Sequence, residues 1–99
     1  MSKSNIKQRI RRAKNKAKKD LEAQKYTIIN SDNDIICFTA TFGQMIEKKI
    51  RIVVDEITPD DIALIKKLNV LNGQTKEIWC RRDRGWEYLI FDKDNNQIQ

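Results

Sequence analysis

Ile50-Arg-Ile-Val-Val-Asp-Glu-Ile-Thr-Pro-Asp-Asp-Ile-Ala-Leu-Ile65 changes its period half-way along. In the first half, Ile50, Ile52 and Val54 point one way, and Arg51, Val53 and Asp55 point the other. That alternation predicts a third strand over about residues 45–57, apolar at its centre on one face and mixed on the other. In the second half, Thr58 is placed to cap a helix and Pro59 suits its first position. Asp60 and Asp61 put negative charge in the first turn, where the helix dipole favours it. Ile62, Leu64, Ile65 and Leu68, with Leu71 beyond them, give a broad apolar face. The predicted helix therefore covers 59–72 and stops at Asn72-Gly73. A helix at this point carries the chain over to further strands, so the sheet is mixed and has helices packed on it.

Working outward, Lys76-Glu-Ile-Trp-Cys-Arg-Arg82 and Trp86-Glu-Tyr-Leu-Ile-Phe-Asp92 read as two strands joined by a turn at Asp83-Arg84-Gly85. The polar tail 93–99 is expected to fray. Upstream, Asp34-Ile-Ile-Cys-Phe-Thr-Ala-Thr41 and Tyr26-Thr-Ile-Ile-Asn30 read as strands separated by Ser31-Asp32-Asn33, with a turn near Phe42-Gly43-Gln44. Residues 4–25 carry Ile6, Ile10, Ala13, Ala17 and Leu21 at helical spacing, one narrow apolar seam. The expected order is α-β-β-β-α-β-β over residues 1–99. It is a single α/β (α+β) domain with a mostly antiparallel sheet over 26–92.

The charge is lopsided. The 99 residues carry a formal net charge of +6. Residues 1–25 hold ten Lys/Arg and two acids, a net of +8, and the remainder carries −2. Arg11, Arg12, Lys14, Lys16, Lys18 and Lys19 crowd together with few acids to form i,i+4 pairs. A polyanion would relieve that repulsion by counterion release. The alternative is a helix whose lysines serve only solubility. The seam has no Trp, Phe or leucine cluster with which to lie on a membrane.

Several chemistries are excluded by composition. The chain has no histidine, hence no Ser-His-Asp triad, Cys-His dyad or His-ligated metal within one chain. Cys37 and Cys80 are too few for a zinc cage and read as buried thiols. The three glycines sit singly at turns, so no phosphate-cradling loop is present. No run approaches the ~20 apolar residues of a membrane span. The start of the chain has no apolar h-region, so the expected location is the cytoplasm.

The element order, with Asp34-Ile-Ile-Cys-Phe, Ile50-Arg-Ile-Val-Val-Asp-Glu-Ile57 and Lys76-Glu-Ile-Trp, resembles the core of the PD-(D/E)XK nuclease superfamily, most nearly small Holliday junction resolvase-like proteins. The resemblance spans about residues 5–91 and implies a restriction-endonuclease-like core. It also implies two carboxylates on Mg²⁺ and a lysine beside the attacking water. Asp34 would be the first carboxylate. With Asp55 as the second, the lysine position falls on Ile57, which cannot serve. Glu47-Lys48-Lys49 matches the Glu-x-Lys spacing but precedes the apolar run Ile50–Val54 instead of following it. The resemblance thus implies catalytic candidates Asp34, Asp55, Glu47 and Lys49, with Asp34 and Asp55 on the metal, in a motif that has decayed. Structurally, Asp55 and Glu56 read as dipole partners of the second helix, and Asp34 as a residue closing the Ser31–Asn33 turn.

Trp79, Arg81, Arg82, Arg84, Trp86 and Tyr88 crowd one hairpin. Such residues stack bases and hold phosphates, complete a core, or form a dimer interface. The leading expectation is a DNA-binding protein using Lys7, Arg11, Arg12, Lys14, Lys18, Lys19, Arg81, Arg82 and Arg84, with no cofactor. The alternatives are an active Mg²⁺-dependent endonuclease and a small homodimeric interaction protein of viral or mobile-element origin.

Overall fold

The computed structural model describes residues 3–31 and 33–99; Asp32, in the expected turn, lies outside them. The order is α1 (Lys3–Ala23), β1 (Thr27–Asn30), β2 (Phe38–Phe42), β3 (Ile46–Val54), α2 (Pro59–Lys67), β4 (Gln74–Arg82) and β5 (Gly85–Phe91). The five strands lie side by side in chain order. Every neighbouring pair is antiparallel except β3 and β4, which are parallel because α2 joins them.

Each face of the sheet carries one helix. Ala13, Ala17 and Leu21 of α1 pack on Phe38, Ala40, Ile50, Ile52 and Trp79. Ile65 of α2 packs on Val53, Ile78, Cys80 and Phe91 of the opposite face, with Ile36 joining them. The alternation of β3 and β4 thus feeds two cores, as expected for central strands covered on both faces. Ala13 and Ala17 are almost wholly buried, and their small side chains bring the helix close to the sheet. The helix closes with Tyr26 N–H on Leu21 O and Lys25 N–H on Glu22 O, both 3.0 Å. Lys25 takes a left-handed φ of 74° there, the arrangement of a Schellman cap.

Thr58 caps α2 as expected, and its hydroxyl accepts from Asp61 N–H. Asp61 returns the bond to Thr58 N–H at 3.0 Å, which completes a capping box. The helix ends at Lys67, five residues before the expected 72. The buried Lys76 supplies the reason. Its ammonium donates to Lys66 O (2.9 Å) and Leu68 O (2.7 Å), closing the last turn from the sheet. Asn72-Gly73 instead forms a turn into β4, with Gly73 at φ 86°.

Three other boundaries differ. β3 ends at Val54, not near 57, because Glu56 N–H turns back onto Val54 O (2.8 Å). β2 begins at Phe38, not Asp34, because Arg51 Nη1 donates to Ile35 O (2.8 Å) and Asp34 O (3.4 Å). Those carbonyls are therefore unavailable to a strand ladder. The Asx bond in the preceding turn is made by Asn33, which accepts from Ile35 N–H, and not by Asp34. The tail does not fray. It turns at 92–95 and returns along β5, with Ile98 N–H on Ile90 O at 2.8 Å and a bridge between Phe91 and Gln97. Among the described residues no helix is long and apolar enough to cross a membrane. Cys80 is buried, and burial pushes its thiol pKa up; Cys37 is half-buried.

Candidate nucleic-acid interface

α1 lies along the sheet, so its two flanks face different strands. On one flank, Arg9, Arg12 and Lys16 recur at i, i+3 and i+7. Beside them lies the β4–β5 hairpin, which contributes Arg81, Arg82 and Arg84. Two open hollows of about 380 and 470 Å³ adjoin between these elements and share Arg9, Arg81, Arg82 and Asp83. The result is one trough with three cations on each wall.

The trough is held from below. Trp86 Nε1 donates to Asp20 Oδ2 (3.2 Å), and Lys16 reaches Asp20 Oδ1 (3.1 Å). Burial alone would raise the Asp20 carboxyl, but these two bonds and the charges of Lys16 and Arg81 hold it below the usual range. Arg81 lies over the Trp86 ring, 5.1 Å from its centroid, and donates to Gly85 O. Its planar fork is thereby fixed by stacking as well as hydrogen bonding.

Three of the six cations are paired with an acid: Lys16 with Asp20, Arg82 with Glu87, and Arg9 with Asp55. Among the described residues, Arg12, Arg81 and Arg84 have no acidic partner within ion-pair distance. The pairing holds Asp55 low, chiefly through the hydrogen bond from Arg9, and raises Arg9 in turn.

The expected interface residues divide. Arg12, Arg81, Arg82 and Arg84 come together. Lys18 stands on the other flank, where it donates to Asn30 Oδ1 (2.9 Å) and covers the Phe38 ring. Lys7, Arg11 and Lys14 share that flank by helical spacing, and Lys19 is exposed on the outer side. Arg9 and Lys16, which complete the trough, were not among the expected residues. Their spacing with Arg12 was the available signal. Of the aromatics, Trp79 is buried in the α1 core, edge-on to Tyr88 (4.9 Å) and Trp86 (5.5 Å). It is a core residue and offers no free ring face.

The carboxylates of the nuclease resemblance are scattered. Glu47 pairs with Lys49 at 3.3 Å near the start of β3, opposite Thr41. Asp34 lies past the other end of β2, where Arg51 holds its carbonyl from the α2 side. Asp55 turns toward α1. Carboxylates sharing one Mg²⁺ must converge within about 5 Å. Among the described residues no three Asp, Glu or Cys side chains form a metal-sized group. The position beside Asp34 is filled by a cation, Arg51, itself fixed on Asp61 (3.0 Å).

Comparison of the chain with protein-family models, curated proteins and solved structures finds no match.

Proposed function

We propose that the protein binds a nucleic-acid backbone, DNA in the first instance, in the trough between α1 and the β4–β5 hairpin. The observation that carries this reading is the convergence of six cations from two elements far apart in sequence. Three of those cations lack acidic partners among the described residues. Backbone phosphates match such an array, because arginine forks pair with phosphate oxygens bidentately. Phosphate contacts position a protein without reading sequence, so the preference is for backbone shape. The layer order is taken as nuclease-like, with Glu47 paired to Lys49, Asp55 paired to Arg9, and Arg51 donating to the Asp34 carbonyl. That supports a binding role without metal-assisted cleavage.

The test compares the two flanks of α1. An Arg12→Ala/Arg84→Ala variant and a Lys7→Ala/Arg11→Ala variant remove the same charge from exposed positions. Binding of a labelled duplex at low salt should fall about tenfold or more in the first, at ~1 kcal/mol or more per lost phosphate contact. The second should lose much less. Equal losses would refute the trough as the site.

A further inference from the structure

β3 ends in an unusual way. Glu56 N–H bonds back to Val54 O at 2.8 Å, two residues away, and Asp55 between them has φ 69°. This is a γ-turn of the strained, positive-φ kind, centred on a residue with a side chain. Such strain is a pointer to function when the surroundings hold it in place. Here the turn swings the Asp55 carboxylate out of the strand and into the trough. There it is gripped by both terminal nitrogens of Arg9, with Nη1 at 3.2 Å from Oδ2. Arg82 donates to the Asp55 carbonyl, and Arg84 lines the same hollow.

A carboxylate held by a guanidinium fork has the geometry of a phosphate held in the same way. We propose that Arg9, with Arg82 and Arg84 around it, is a phosphate site whose resident, exchangeable anion is Asp55. The proposal rests on the nucleic-acid reading above and names how that site is gated. The pair is solvent-exposed, at 39% for the Arg9 side chain and 61% for Asp55. Exposed ion pairs are weak, so the contact yields to a stronger competitor. A single small anion gains Arg9 with Arg82 and Arg84 around it, but must displace a neighbour already in place. A run of phosphates also engages Arg12 and Lys16 farther along the trough, and these additional contacts favour exchange. The latch therefore selects a continuous phosphate backbone over isolated anions.

The test uses anisotropy of a labelled 20-base-pair duplex at several salt concentrations. Asp55→Asn removes the charge, and asparagine tolerates positive φ, so the turn is kept. Asp83→Asn adds the same charge in the same hollow without releasing Arg9. Asp55→Asn should bind about five- to tenfold tighter than wild type, with a log–log salt slope steeper by about one. Asp83→Asn should gain about twofold at most. Adding Arg9→Gln to Asp55→Asn should abolish the gain. If wild type binds but Asp55→Asn binds no tighter than Asp83→Asn, the latch is overturned. If no variant binds at low salt, the nucleic-acid reading itself fails.

Discussion

Arg51 and Lys76 stand on neighbouring parallel strands, and each turns a long side chain onto α2. Arg51 holds Asp61 at the helix start, and Lys76 holds the last carbonyls at its end. Asp61 thus joins a cap and a largely buried ion pair. Burial alone would raise its pKa, but bonds from Thr58 and Arg51 outweigh burial and hold it low. A folded pKa below the unfolded one gives stability that is complete above about pH 4 and is lost as pH falls through the folded value. Asp61→Asn should therefore flatten the acid limb of stability against pH. Asp61→Ala should cost about 2–4 kcal/mol near neutrality, since it leaves Arg51 unpaired. Denaturant midpoints measured from pH 2 to 7 check both. Arg51 also bears on chemistry, because a cation stands beside Asp34. We expect no Mg²⁺- or Mn²⁺-dependent cleavage of junctions, flaps or linear duplex. Cleavage abolished by both Asp34→Ala and Lys49→Ala would restore the nuclease reading.

At the scale of elements, α1 works through its small residues. Ala17 is fully buried against the sheet. Ala17→Leu should cost about 1–3 kcal/mol by overpacking. It should also lift one wall of the trough, so binding of the duplex should weaken even where the fold is retained. Unchanged affinity in a folded variant would show that the trough does not depend on how α1 is seated. Of the seam, Ala13, Ala17 and Leu21 were legible from spacing while Ile6 stays exposed; Thr58, Pro59 and the order of all seven elements were legible too, because each follows from local period or capping. What was not legible involves long-range partners. Arg9 meets Asp55 across 46 positions, and no local pattern says which flank of α1 faces the hairpin. The early end of α2 depends on Lys76, a charged residue whose spacing marks it only as part of a strand. The fold-back of the tail depends on an open edge of β5, which appears only once the sheet is assembled.

On the scale of the whole molecule, the chain separates its surface chemistry. The basic trough lies at one end of β3 and β4. At the other end, Phe42, Met45, Ile46 and Leu71 are exposed. The sequence's +8 over residues 1–25 is not one patch, since α1 divides its cations between two flanks. Only the flank beside the hairpin gains arginines from elsewhere. Net charge alone therefore overstates the proposed interface, and the number of phosphates contacted is the quantity on which the proposal turns. The most direct measurement is the affinity for a short duplex across a range of salt concentrations. Six trough cations, with Asp55 displaced on binding, predict a slope of log K against log salt of about −4 to −5. A flat response, or no binding at low salt, would contradict the account.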